Sequence, residues 1–485
     1  MSTDYQQLPT ASNRVQHPVL FTLVPIFLWV LFSFSFLTTI FFFDKLPVWE
    51  WKQIFKVNGF SLLIWTTVSF FSAIVSSYSK NYLKGFLYHK SFTWYSLGFT
   101  LSVMTLVMAN HIILFFLSWL LMGVFMERLI GVNAKWAEAK AASKYAQKFF
   151  LLGSLLLGIA LTLLSWYSDE ISVFGIAEKV HTLPVYVQII AALCIILAAV
   201  IQSAIYPFQR WLMSAMTSPT PASALMHAGF VNGGGILLAF FSSLLFASDT
   251  LNLLFIIGGV TAVMAQFTKL LQVNVKQKLA CSTIAQMGFM IMQCGLGFFN
   301  AAVAHLILHG FYKAYLFLSA GEEIKQKHPA VKQKLHIKPL QAVVVLIFGA
   351  MGAVLFSYLT GKGTAMDSGI ILTLIVAITV GQATYNMVKE KSLNTFQKIV
   401  YPLVLFSLGI VLYAGLYNAV TIMMSQMPLT YAPVEMSWIH IVFGIAFLIG
   451  FFLMKLGAYR KIPWLYVKLM NDSQPYHKTI FTSKK

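Results

Sequence analysis

Apolar residues along this chain gather into long runs separated by short polar connections. A helix that crosses a bilayer core of about 30 Å needs roughly 20 apolar residues. Fourteen runs reach that length: about 18–43, 58–79, 91–109, 111–131, 148–167, 185–206, 219–247, 251–271, 279–297, 301–320, 340–360, 369–388, 399–424 and 437–456. The pattern predicts an all-α, polytopic membrane protein of about fourteen transmembrane helices. Two regions read as broken. Pro207, Pro219 and Pro221 precede Gly233, Gly234 and Gly235 in the first, and Gly361 and Gly363 flank Lys362 in the second. The first run is too long for a secretory signal, and no small-residue cleavage site follows it. The polar residues 1–17 are expected to form a short cytoplasmic tail, as are residues 457–485 at the other end. The connections are shorter than twenty residues, which leaves no room for a soluble domain between helices.

Composition sharpens this picture. The chain has 485 residues, 58% hydrophobic and only 10% charged, with a mean hydropathy of +0.76. An ordinary soluble domain is about 45–50% apolar and about 25% charged. A soluble enzyme, a disordered chain and a disulfide-stapled module are therefore excluded. Lys and Arg number 34 against 15 acids, a formal charge of +19. With the N-terminus placed in the cytoplasm, 26 of the 34 fall in inside segments, five outside (Lys45, Lys52, Lys56, Lys179, Lys362) and three within helices (Arg128, Lys269, Lys313). That is the positive-inside asymmetry. The basic charge thus reports topology and calls for no nucleic-acid partner. Both termini are expected to be cytoplasmic. Cys194, Cys281 and Cys294 lie in apolar runs without CxxC spacing, so neither zinc nor disulfides are expected in this chain. No GxGxxG, Walker loop or metal cluster is present. The chain reads as a transport subunit with no cofactor of its own, and any catalysis would belong to a partner.

Titratable residues inside a bilayer cost at least about 2.5–3.5 kcal/mol each, so they point to function. The clearest set is in AAVAHLILHGFYKAYLFLSA, where His305, His309 and Lys313 stand four residues apart. On a helix they share one stripe spanning about 12 Å. An imidazole accepts a proton on one nitrogen and donates from the other. An amine held away from water exchanges its proton more readily. Three such groups in a row suit a proton relay better than helix packing. His227, in TSPTPASALMHAGFVNGGG, lies in the first broken region, where transporters expose backbone groups to ions. Lys362 is either a water-exposed loop lysine or a terminal proton station. Glu127 and Arg128 end the fourth run near the cytoplasm, and either pair with interfacial charges or make Glu127 a proton entry site. Lys269 is expected to snorkel to the headgroups. Trp49, Trp51 and Trp464 read as an interfacial belt rather than a quinone site.

Three stretches carry a family resemblance: PFQRWLMSAMTSPTPASALMHAG, KLACSTIAQMGFM and HLILHGFYKAYLFLSAG. Over about residues 70–390 the chain resembles the antiporter-like membrane subunits shared by respiratory complex I and Mrp-type cation/proton antiporters. The resemblance implies two inverted five-helix repeats, at 91–247 and 251–388, each with a broken helix. Helices at 18–90 would precede them and helices at 399–456 follow. His227 matches the histidine after the family's Pro-Thr-Pro motif. His305, His309 and Lys313 match its central His-x3-His-x3-Lys row. Lys362 matches the lysine of the second broken helix, taken in the family as the exit to the periplasm.

Departures are informative. The family carries Glu after Trp in the first repeat, and here Leu120 follows Trp119. It carries Lys before Ser-Ala in the first broken helix, and here Gln202 precedes Ser203. Losing both members of that pair avoids leaving one buried charge alone, so the first half-channel is expected to be altered. Glu127, seven residues past Leu120, is a candidate substitute. The length leaves no room for the lateral helix of the distal complex I subunit. The chain resembles instead the membrane subunit (DabB) of DAB-type inorganic-carbon pumps. That resemblance implies a large soluble partner, DabA, similar to a zinc β-carbonic anhydrase, on the cytoplasmic side of a bacterial inner membrane. Cation flow, of protons or sodium, would drive CO2 hydration in the partner. Protons would enter through Lys362, pass Lys313 and the His305/His309 row, and leave near Glu127 or His227. The competing readings are a subunit of a multisubunit Na+/H+ antiporter or redox-driven pump, and a non-conducting scaffold.

Overall fold

The structure is a computed structural model that describes residues 19–43, 45–320, 339–389 and 393–480. The expected tail at 1–17 and most of the basic connection at 321–339 lie outside the described residues. The chain is built from helices. In order they are α1 (Leu20–Phe41), α2 (Gly59–Tyr82), α3 (His89–Met108), α4 (Ile112–Ile130), α5 (Ala137–Ser168), α6 (Val173–Lys179), α7 (Val185–Gln202), α8 (Arg210–Ser214), α9 (Thr220–Ala228), α10 (Gly233–Phe240), α11 (Ser242–Ala247), α12 (Leu251–Lys269), α13 (Val275–Gly295), α14 (Phe299–Leu318), α15 (Pro339–Thr360), α16 (Gly369–Lys389), α17 (Thr395–Met423), α18 (Trp438–Leu456) and α19 (Pro463–Asp472). A small antiparallel hairpin, β1 (Trp49–Trp51) with β2 (Phe55–Val57), joins α1 to α2.

Each of the fourteen apolar runs coincides with helix. Among the described residues, ten helices are long and apolar enough to cross a membrane, and α15, α16 and α18 supply shorter apolar stretches. The run at 219–247 is divided into α9, α10 and α11, with a 3-10 turn at Phe230–Asn232 between the first two. The helix expected at 148–167 begins earlier, at Ala137, because AEAKAASKYAQ is rich in strong helix formers. The hairpin and α19 were not anticipated. Both lie in polar connections, where apolar run length carries no signal.

Exposed faces are apolar. Phe34, Val30 and Leu37 on α1, and Leu405, Leu408 and Leu412 on α17, stand in the open. Such continuous apolar surface calls for lipid. By contrast α13, with Lys276, Gln277, Lys278, Ser282, Thr283 and Gln293, is polar over its first turn, and almost all of Ala280–Gly295 is buried. Its polar groups beyond the first turn, Ser282, Thr283 and Gln293, are buried. It also lies very close to α12: a Cβ on Gly288 would stand 2.6 Å from the Ala262 nitrogen and 2.8 Å from the Gly258 oxygen. Small residues allow such backbone approach inside membranes.

Apolar packing forms one large core, a smaller second one and three small satellite clusters. The large core runs from Phe60 on α2 to Phe317 on α14 and includes Val420, Met424 and Met427 at the end of α17. The second joins Phe255, Leu296, Phe298, Phe348, Phe356, Leu372 and Tyr417. Helix α14 serves both, through Ala302, Leu306 and Ile307 on the one hand and Ala301 on the other. Distant parts of the chain are clasped together. Asn58 Nδ2 reaches Met427 Sδ at 3.6 Å, the Gly59 amide donates to Gln426 Oε1 at 3.3 Å, and Gln426 Nε2 donates to the Leu46 carbonyl at 2.7 Å. At the other end of the helices, the segment after α18 straps across the break between α7 and α9. Arg210 pairs with Asp472 at 3.7 Å, Gln272 Nε2 donates to the Ser473 carbonyl at 2.8 Å, the Tyr476 amide donates to Ser214 Oγ at 3.0 Å, and Tyr476 stacks on Tyr145.

Candidate functional site

The central row lies on α14, whose first turns carry the helix formers Ala301, Ala302, Ala304 and Leu306. His305 and His309 have near-parallel rings, with centroids 6.2 Å apart at 14°. His309 is 4% exposed and Lys313 is fully buried. His305 Nε2 and both ring nitrogens of His309 find no hydrogen-bond partner among the described residues. Buried polar groups are nearly always paired, so three orphaned nitrogens on one stripe set this helix apart from the apolar packing around it. Gly310 makes the stripe accessible to α9. A Cβ there would stand 2.6 Å from the Phe71 ring and 3.1 Å from the Ala228 carbonyl.

Lys313 Nζ donates to the backbone carbonyl of Leu279 on α13 at 2.9 Å. No carboxylate lies within ion-pair distance of it among the described residues. The same carbonyl accepts from Thr283 Oγ1 at 3.2 Å, and Thr283 Oγ1 lies 2.9 Å from His227 Nδ1. His227 is fully buried and stacks on Phe317 of α14 at 4.3 Å, 18° from parallel, with Nε2 unpartnered. Thus α9, α13 and α14 meet in one polar contact. While Thr283 gives its hydrogen to Leu279, it accepts from His227 Nδ1–H, which leaves Nε2 as the free acceptor.

Lys362 stands at the opposite end of α14. Its flanking glycines have φ of +69° and +74°, a region that L side chains rarely adopt. The loop is pinned further on by Ser368, whose hydroxyl donates to the Leu296 carbonyl at 2.8 Å and whose amide donates to the Val434 carbonyl at 2.9 Å. Lys362 is 1% exposed, so it is not a water-exposed loop lysine. Its amine lies 3.8 Å from the Tyr417 ring centroid and 4.6 Å from that of Phe298. Phe298 immediately precedes α14. Along that helix the order is therefore Lys362, His305, His309, Lys313, with about 10 Å of rise from Phe298 to His305. The sequence-based order, which passed Lys313 before the histidines, is replaced by this one.

The first-repeat positions are rebuilt. Gln202, at the end of α7, is buried and donates through Nε2 to the Phe230 carbonyl at 3.2 Å, and Ser203 Oγ donates to the Val231 carbonyl at 2.9 Å. Both satisfy carbonyls of the turn between α9 and α10, so the position holds a structural hydrogen bond where the family has a charge. Leu120 and Glu127 line one cavity of about 10 Å³ with Gln147, Phe150 and Ser154. Glu127 accepts from Ser143 Oγ at 2.5 Å and pairs with the exposed Arg128 at 3.4 Å. It shares the face of Leu120 but is already engaged at the helix end.

Leu279, Thr283, Phe298, Asn300 and Tyr417 were missed from the sequence. Thr283 lay in view inside a quoted motif, as a hydroxyl on an otherwise buried face. Tyr417 gave no signal, because only the fold brings α17 beside the loop after α15.

A membrane bundle with buried amines and imidazoles in file, and a helix broken at Phe230–Asn232, defines an antiporter-like membrane subunit. Residues 109–389 match the family NADH:quinone oxidoreductase/Mrp antiporter, transmembrane region, and the chain belongs to that family. It is 34% identical over 313 residues to the probable inorganic carbon transporter subunit DabB of Bacillus anthracis, covering 62% of this chain and 59% of that relative. It is 29% identical over 430 residues to the probable inorganic carbon transporter subunit DabB of Hydrogenovibrio crunogenus, covering 84% and 77%. The chain thus spans less than two thirds of the first relative's length. The Mrp complex from Dietzia sp. DQ12-45-1b shares the fold, with a TM-score of 0.61 at 21% identity over 90% of this chain and 54% of that one.

Proposed function

We propose that this chain is the cation-translocating, in particular proton-translocating, membrane subunit of an energy-coupled inorganic-carbon uptake complex. The supporting observation is the row His305, His309, Lys313, with no carboxylate within ion-pair distance among the described residues, extended by Lys362 at one end and His227 at the other. Protons enter from the outside by Lys362, pass His305 and His309 to Lys313, and reach the cytoplasm past Thr283 and His227. Glu127 is a secondary entry or exit site at the cytoplasmic end of α4. A positive charge moving down a membrane potential releases about 2.3 kcal/mol per 100 mV. That work is delivered to a large soluble partner resembling a zinc β-carbonic anhydrase (DabA), docked on the cytoplasmic side. The chain carries no cofactor and performs no catalysis itself. It sits in a bacterial inner membrane with both termini cytoplasmic, a placement that the distribution of Lys and Arg supports. It keeps the two-repeat organisation, 91–247 and 251–388.

The deciding experiment is Lys313→Ala in cells that depend on inorganic-carbon uptake. Uptake is expected to fall to background while the complex still assembles. Unchanged uptake removes the central station. Affinity purification with mass spectrometry and zinc analysis tests the partner. A large zinc-bearing soluble protein supports the carbon pump. Several small membrane subunits without zinc move the chain to the second reading, a multisubunit antiporter, which the shared fold with the Mrp complex favours.

A further inference from the structure

We propose that Phe298 and Tyr417 form an aromatic seat for the Lys362 ammonium, with Tyr417 as the positioning residue of this station. The inference rests on reading Lys362 as part of the proton pathway. Lys362 Nζ has no hydrogen-bond partner among the described residues, and what surrounds it is two ring faces. A ring face attracts a cation through its quadrupole, most strongly where water is excluded. It cannot accept the proton. The seat therefore stabilises the charged amine without competing for its hydrogen, whereas a carboxylate in the same place would hold or take it. The proton can then leave only toward another acceptor, of which His305 is the next on α14.

The seat is rigid. Asn300 Nδ2, in the first turn of α14, donates to the Tyr417 hydroxyl at 3.0 Å and to Thr421 Oγ1 at 2.8 Å. The Tyr417 ring lies 8° from parallel with Tyr413, centroids 6.4 Å apart. Phe298 is fixed by its amide, which donates to the Gln293 carbonyl at 3.0 Å, and by Tyr431 at 5.6 Å. Tyr417 thus ties the amine, the start of α14 and α17 together, although it lies beyond the family-matched residues 109–389. Among the described residues, the titratable groups packed against the seat are Tyr413 and Tyr417 on α17 and Tyr431 in the following loop, with His305 farther along α14. Asp367 and Glu435 face each other across a bridge in the neighbouring loops, and the Asp367 carboxylate accepts from the Gly369 amide at 2.7 Å. No acid forms an ion pair with Lys362 among the described residues.

The test uses the full chain, with its co-purifying subunits, in liposomes containing a pH-sensitive dye. Proton flux is measured against external pH for Tyr417→Phe, Tyr417→Leu, Phe298→Leu and Lys362→Ala. Tyr417→Phe keeps the ring and is expected to keep the parent's alkaline limb. Either leucine variant removes one face of the seat, so the charged amine loses a partner. The alkaline limb should move to lower pH by about one unit, a loss of about tenfold in flux at a pH on that limb. Phe298→Leu leaves the Asn300–Tyr417 bond in place and carries the same expectation should Tyr417→Leu fail to assemble. Unshifted limbs in the assembled leucine variants, with Lys362→Ala inactive, overturn the seat alone. Full flux in Lys362→Ala overturns the pathway reading itself.

Discussion

Thr283→Val separates the hydrogen-bonding role of the α9–α13–α14 junction from its packing. Valine has nearly the shape of threonine, so the change replaces one hydroxyl by a methyl group. Two contacts are lost, to His227 Nδ1 at 2.9 Å and to the Leu279 carbonyl at 3.2 Å. The carbonyl keeps its bond from Lys313. His227, fully buried, keeps nothing at Nδ1. An unsatisfied buried donor costs about 1–3 kcal/mol, and the chain should lose about that much stability in detergent. The same bias selects which ring nitrogen carries the hydrogen. Since 1.4 kcal/mol is tenfold in an equilibrium, loss of the bias should lower proton flux by about tenfold. Flux into liposomes is the assay, with thermal unfolding measured on the same preparations. Thr283→Ser keeps the hydroxyl and should retain most of the flux. Full flux in Thr283→Val beside an inactive His227→Ala would refute the role given to this bond. Equal impairment in Ser and Val would show that the hydroxyl alone does not account for the effect.

Two further perturbations test the frame around the site. Gly288→Leu forces a Cβ into backbone atoms of α12 that cannot give way, and overpacking of this kind costs about 1–3 kcal/mol. Thermal unfolding should report that loss, and an unchanged midpoint would show that the α12–α13 approach is slack. Gln202→Lys places an unpaired charge at a buried position, a penalty of about 3–5 kcal/mol. Adding Leu120→Glu should recover part of it, and strictly additive losses in the double variant would show that the two positions no longer face each other.

The helices were legible because lipid imposes run length, and all fourteen runs proved to be helical. The break after His227 was legible from its prolines and glycines, and the stripe on α14 from its four-residue spacing. What stayed hidden had a common cause. Helix α13 was read from residue 279, but its polar first turn, Val275–Lys278, carries no apolar signal. The sequence showed Lys362 between two glycines, but the rings that receive it come from the residue before α14 and from α17. Glu127 could be placed on the face of Leu120 by counting residues. Its engagement by Ser143 depends on how α5 crosses α4, which no local pattern records.

The clasp between Asn58, Gly59, Gln426 and Met427 bears on how the chain is made. Helix α2 enters the membrane early in synthesis, yet the groups that satisfy its first turn emerge after fifteen further helices. Until then the side-chain nitrogen of Asn58 has no Met427 to meet, and the large core lacks Val420, Met424 and Met427. A ribosome that stops before α17 therefore releases a chain with an open seam, one that insertion and surveillance machinery could recognise. Closure of that seam, which joins α2 to the segment after α17, is therefore a late step in packing.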